Sequence, residues 1–171
     1  ATVNAAFTAI NAGTHQGAIV ITVTGSTTEP ATPVALLKSA APSSYTSILL
    51  TASGNATINS AAAPTASRGV IELSGADNVT IDGDDLATPG SRNLSIIVAT
   101  NASTGTAAIR LASNSTTGTD GADNNTVKNC IVVGGRNSAT STTTSYGINM
   151  SNASAIATGA YSSLNTIIEN N

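Results

Sequence analysis

Three carboxylates, Asp82, Asp84 and Asp85, surround a glycine in the stretch Ile81 to Leu86. Clustered carboxylates on a turn offer the hard oxygen ligands that Ca²⁺ takes. The adjacent pair Asp84 and Asp85 could also serve as the acid and base of glycoside cleavage. The spacing is that of neither an EF-hand nor an RTX calcium repeat. It reads instead as an acidic turn in which Asp helps the backbone bend. The only histidine, His15, has no cysteine or second histidine near it in the chain, so a transition-metal ligand set is not formed. The single cysteine, Cys130, excludes an internal disulfide. It precedes Ile131, Val132 and Val133 and reads as a small buried hydrophobe. No Ser-His-Asp or P-loop pattern occurs. The sequence therefore predicts no catalytic residues and no cofactor, with Asp82, Asp84 and Asp85 as the one weak metal candidate.

The elements that carry these residues repeat. Gly69 to Gly83 reads as a strand, a Gly/Asp/Asn turn and a second strand, echoed at Ala107 to Cys130 and at Tyr146 to Asn171. In the first strands aliphatics flank a polar residue: Ile71 and Leu73 around Glu72, Ile109 and Leu111 around Arg110, Ile148 and Met150 around Asn149. Such period-2 alternation predicts one buried and one wet face, with Leu111 inside and Arg110 outside. The second strands end in Ile81-Asp82-Gly83, Val127-Lys128-Asn129 and Ile168-Glu169-Asn170. Gly and Asn tolerate a left-handed backbone, so each strand can turn at the same place. Stacked Asn side chains can also form hydrogen-bonded ladders. Units that each bury a face they cannot close alone predict a solenoid, and strands joined by tight corners predict a parallel β-helix. An antiparallel sandwich also has recurring short strands, but does not explain the recurring corner chemistry.

The opening Ala6 to Gly25, the block Gly75 to Gly83, and the stretches NNTVKNC and LNTIIENN resemble right-handed parallel β-helix proteins of the pectin-lyase-like superfamily. They resemble more closely the long secreted surface proteins of Bacteroidetes-type bacteria. The resemblance implies an all-β, right-handed parallel β-helix with a short N-terminal capping helix, and an extracellular or cell-surface location. Its motifs belong to the fold and carry no catalytic residue across. In the polygalacturonase-like families, His, Arg and Lys motifs accompany the carboxylate pair, and none follows Asp84 and Asp85 here.

The 171 residues read as one domain, a cap at 1–13 followed by solenoid rungs at 17–171. Thr2 is an N-cap candidate, Val3, Phe7 and Ile10 share a helix face, and Gly13 suits the stop. Strands are expected at 17–25, 34–37, 45–52, 56–58 and 94–99. Loops are expected at 26–33, 61–67, 84–93, 113–124, 134–145 and 152–163. Charged residues are only 9%, yet 40% hydrophobic content in alternating blocks argues for an ordered β protein. No apolar run approaches the roughly 20 residues of a membrane span. Six Lys and Arg, scattered singly, do not form a nucleic-acid footprint. With aromatics at 2%, platforms for a glycan partner are scarce. The expected function is structural: an extracellular β-solenoid that associates with itself head to tail, as the subunit of a filament. The alternative is a glycan-binding or polysaccharide-processing module. The expected self-association edge is the final strand and its corners: Asn165, Thr166, Ile167, Ile168, Glu169 and Asn170.

Overall fold

The computed structural model describes residues 1–62, 64–98, 105–115, 119–135, 145–153, 156 and 163–171. The chain opens with helix α1, Val3–Asn11, on which Thr2 caps the N-terminus by accepting from the Ala5 N–H at 3.1 Å. Val3, Phe7 and Ile10 are its buried face, and Gly13 at φ 75° turns the chain away from it.

Four rungs of three strands follow. The first is β1 (Gln16–Val23), β2 (Thr27–Glu29) and β3 (Leu36–Leu37). The second is β4 (Ser44–Ala52), β5 (Ala56–Ser60) and β6 (Gly69–Ser74). The third is β7 (Val79–Asp85), β8 (Leu94–Ile97) and β9 (Thr106–Ala112). The fourth is β10 (Thr126–Lys128), β11 (Cys130–Val133) and β12 (Ser145–Ser151), and β13 (Ile167–Glu169) begins a fifth. Each strand pairs with its counterpart one rung away, giving three sheets in the orders β1-β4-β7-β10-β13, β11-β8-β5-β2 and β12-β9-β6-β3. Every pairing between strands is parallel, so the chain is an all-β parallel β-helix and the antiparallel sandwich is excluded.

The repeat alignment is the pairing register. Leu73 pairs with Leu111 and Leu111 with Met150, while Ile81 pairs with Val127 and Val127 with Ile168. Ile21, Leu50, Ile81 and Val127 thus form one inward row, and Leu36, Leu73 and Leu111 another. These rows meet Ile58, Ile96 and the buried face of α1 in one core. The corners behave unequally. Asn129 and Asn170 are left-handed at φ 55° and 50°, as expected. Gly83, at the same place one rung below Asn129, is not among the left-handed residues; a Cβ there would run into the Asn129 carbonyl. Glycine is needed at that corner for close approach between rungs.

Three expectations need correction. The segment 26–33 is not all loop, because it contains β2. The loop expected at 84–93 begins later, since β7 runs through Asp85. The third concerns the outer face of the β6 and β9 strands, which is not wet: Arg110 and Glu72 are 2% and 5% exposed. Alternation turned both side chains away from the core as predicted, but the chain beyond β12 meets Arg110 at Asn152 and Ala153, and Glu72 lies between Arg110 and Arg68. Of the other expected loops, 113–124, 134–145 and 152–163 lie partly outside the described residues, as do Ala63 and Ala99.

Candidate functional site

The acidic turn at the end of β7 can be built atom by atom. Asp82 points outward and reaches up the stack, accepting from the Asn129 amide at 2.8 Å and pairing with the Lys128 ammonium at 3.3 Å. Asp84 accepts the backbone N–H groups of Gly90 at 2.8 Å and Ser91 at 2.6 Å. Asp85 accepts those of Ala87 at 2.9 Å and Gly54 at 2.8 Å. The Ala87 and Gly54 N–H groups hold the Asp85 carboxyl below its ordinary range, because they stabilise its charged form. These three carboxylates therefore bind their own loop and the neighbouring rungs. Asp84 and Asp85 are both occupied by backbone donors, and Asp85, held depressed, is a poor proton donor. His15 lies exposed in the segment between α1 and β1. Among the described residues, no group of three or more His, Cys, Asp and Glu is placed to hold a metal ion.

Cys130 is fully buried, and burial pushes its thiol up to about 12. A thiol so far from ionising is no nucleophile at neutral pH. Among the aromatics, Phe7 packs under the cap, and Tyr45 is 5% exposed with its hydroxyl donating to the Leu37 carbonyl at 2.7 Å. Neither offers a flat surface to a sugar ring.

Two groups that the sequence did not single out hold the assembly. On sheet β12-β9-β6-β3, the Arg110 guanidinium pairs with Glu72 at 3.0 Å and donates to Ser151 Oγ at 2.9 Å and the Asn152 carbonyl at 2.6 Å. Arg68 grips the other Glu72 oxygen at 2.7 Å and donates to the Pro33 carbonyl at 2.7 Å. This clasp touches all four complete rungs. Its signal was present in the sequence: opposite charges at aligned positions of successive repeats are stacked neighbours. The second group is Glu29, on β2, whose buried carboxylate receives the first N–H groups of α1. No pattern marked it, because its partners lie in another element.

Among the described residues, the strand of the proposed edge has one neighbour. In β13, the Ile167 N–H donates to the Asn125 carbonyl at 2.9 Å, and the Glu169 carbonyl accepts from the Asn129 N–H at 3.3 Å. Strand alternation turns the intervening Ile168 N–H and C=O to the other, unpaired side. Ile167 and Ile168 are 51% and 48% exposed. Asn165 and Asn170 donate their amides back to Asn124 at 2.9 Å and Asn129 at 2.6 Å, the second continuing the ladder that Asn129 makes to Asp82. Thr166 Oγ1 is buried without a hydrogen-bond partner.

No family description, curated protein or solved structure matches the chain in comparisons with known proteins. No helix among the described residues is long and apolar enough to cross a membrane.

Proposed function

We propose that this chain is a structural β-solenoid of an extracellular or cell-surface protein, and that it associates with itself head to tail as a filament subunit. One observation carries the reading: among the described residues β13 is hydrogen-bonded on a single side, with Ile167 and Ile168 half-exposed and the flanking Asn165 and Asn170 amides bonded in register to the rung below. A parallel edge of this kind is a template for another strand. The two ends of the stack differ, so joining them is heterologous and propagates unless the rotation closes a ring. The lack of free reactive groups at the acidic turn supports a scaffold over an enzyme. The resemblance to pectin-lyase-like β-helices and to secreted Bacteroidetes-type surface proteins supports the location. The rival glycan-binding reading is weakened by the burial of Phe7 and Tyr45.

The test is light scattering and electron microscopy on the 171-residue chain across a concentration series. Ile168→Pro removes a donor from the open side and leaves the Ile167 bond to Asn125 intact. The wild type should lengthen with concentration and Ile168→Pro should not. A wild type that stays monomeric throughout, as when the next rung belongs to a longer chain, overturns the reading. So does a variant that assembles equally well.

A further inference from the structure

The outer face of sheet β1-β4-β7-β10-β13 carries an open groove of about 380 Å³. Its lining is aliphatic at Ala18, Val20 and Leu49, and polar at Ser47, Asn78 and Thr80. The Asp82–Lys128 ion pair also borders it. Asn78, Val79 and Thr80 form the acceptor sequence of N-linked glycosylation, Asn-x-Thr. Asn78 lies in the turn before β7, and Thr80 lies two residues on, within β7. Backbone bonds fix the acceptor: the Asn78 N–H donates to the Asp123 carbonyl at 3.1 Å, and its carbonyl accepts the Ile48 N–H at 3.1 Å. Its φ of 59° is left-handed, which Asn tolerates. The side chain is exposed, and its amide makes no hydrogen bond among the described residues.

The chain has seven other Asn-x-Ser/Thr sequences, and the structure treats them differently. Asn93 Nδ2 is committed to Asn55 Oδ1 at 2.9 Å, and Asn114 Nδ2 to Asp120 at 3.3 Å. Asn152 is 4% exposed, and Asn149 lies within β12 with its Oδ1 buried. A glycan at any of these four would break a bond or open buried structure. Asn55 and Asn124 have their side-chain oxygens held in bonds between rungs. Asn101 lies outside the described residues. Among the described residues, Asn78 alone joins an exposed, unbonded side-chain amide to a groove. We propose that Asn78 is the acceptor of an N-linked glycan, and that the groove seats its first sugars. The proposal rests on the extracellular placement above, because such transfer accompanies secretion. The donor is an oligosaccharide carried on a polyprenyl pyrophosphate, and an oligosaccharyltransferase catalyses the step. Asn78 Nδ2 bonds to the anomeric carbon as the bond from that carbon to the pyrophosphate oxygen breaks. The pyrophosphate leaves with the electron pair, and the amide proton passes to a base of the transferase. A sugar ring has an apolar face of C–H groups and a rim of hydroxyls. Its face covers Val20, which is 60% exposed, and Leu49, while its rim meets Ser47, Thr80 and the Asp82–Lys128 pair. The glycan lies on the side of the stack, so it neither requires nor blocks head-to-tail joining.

The test produces the 171-residue chain in a secretory host that carries an oligosaccharyltransferase, and maps the glycopeptides of the secreted protein by mass spectrometry. Asn78 should be the most fully occupied site, with Asn93, Asn114 and Asn152 far lower. Thr80→Ala, which removes the hydroxyl of the acceptor sequence, should cut Asn78 occupancy about tenfold and leave the other sites unchanged. Asn78→Gly suits the left-handed backbone and should remove the glycan altogether; it replaces Thr80→Ala should that variant fail to fold. Methyl NMR of the glycosylated chain, before and after enzymatic removal of the glycan, should show the Val20 and Leu49 signals shifting. A bare Asn78, whether or not other sites are filled, overturns the proposal and leaves the filament reading, which light scattering tests, standing. Equal occupancy at Asn93, Asn114 and Asn152 overturns the selection of Asn78 by the fold. A filled Asn78 with unmoved methyls overturns the groove as the seat of the sugars.

Discussion

Removing the Arg110 side chain tests whether the outer face of the β6 and β9 strands is interior, as the structure has it, or solvent, as alternation alone suggests. Arg110→Ala leaves Glu72 buried with one of its two cations, since Arg68 still holds Oε2 at 2.7 Å. It also strips Ser151 Oγ and the Asn152 carbonyl of donors at 2.9 and 2.6 Å. Breaking a buried pair from one side typically costs about 3–5 kcal/mol. The surviving Arg68 contact reduces that, and the Ser151 hydroxyl still donates to the Asn152 carbonyl at 3.3 Å, so these two acceptors add less than the ~1–3 kcal/mol of an unsatisfied buried group. The expected loss is about 3–5 kcal/mol, as large as the roughly 2–5 kcal/mol for Leu111→Ala in the inward row. Replacing both partners, Glu72→Leu with Arg110→Met, leaves no buried charge in the pair and should recover most of the loss. The assay is urea denaturation with the slope held as a check on two-state behaviour. An Arg110→Ala loss under about 1 kcal/mol, the range of an exposed ion pair, would refute a buried clasp.

Removal of divalent ions with EDTA should leave the melting temperature unchanged, because Asp84 and Asp85 are already bound to backbone N–H groups; a drop restored by Ca²⁺ would overturn that account. Burial, with the charges of Asp123 and Asp120 adding to it, holds the Asp77 carboxyl above its ordinary range against the opposing Asp123 N–H. The fold therefore binds that proton more tightly than the unfolded chain, and stability is lost as pH rises through the folded value. Asp77→Asn, which keeps an acceptor for the Asp123 N–H, should be more stable than wild type at pH 7, with the gap closing below about pH 3 in a pH series of melts. Cys130 should resist a thiol reagent at pH 8 in the native state and react fully after denaturation, since its thiol lies near 12; fast native labelling would contradict its burial.

The sequence disclosed the inward half of this structure. The rows Leu73-Leu111-Met150 and Ile81-Val127-Ile168 were legible because parallel stacking puts like residues one rung apart, so register and repeat are the same information. Thr2 and the Val3, Phe7, Ile10 face were legible because capping and helix period are local. The outward half was harder. Arg110 lies on the predicted side, but whether that side meets water depends on where a Ser- and Asn-rich segment far along the chain comes to rest. Short strands with no alternation to display escaped for another reason: Thr27–Glu29 offers three residues between two turns. Within the acidic turn, residue types named the chemistry that carboxylates can do. Only the positions of Gly54, Ala87, Gly90 and Ser91 showed that backbone donors had taken them.

A stack in which each rung touches only its neighbours should open from its ends, one rung at a time. The clasp works against this on one side of the prism. Arg68 reaches from the second rung to Pro33 of the first, and Arg110 reaches from the third rung to Glu72 of the second and Ser151 of the fourth. On the sheet that ends in β13, stacking above β7 rests on three-residue strands and side-chain ladders. Native-state amide exchange should therefore divide the molecule. Amides of β6 and β9 should exchange only through global unfolding, with β12 close behind. Those that join the last rung to the fourth, Asn124 to the Leu164 carbonyl and Ile167 to the Asn125 carbonyl, should exchange through local opening. Arg110→Ala should move β12 into the locally opening class and leave β4 unchanged. If the Asn124 and Ile167 amides prove as slow as those of β9 in a monomeric sample, the clasp is not what sets cooperativity, and the Asn ladders carry more of the stack than their geometry implies.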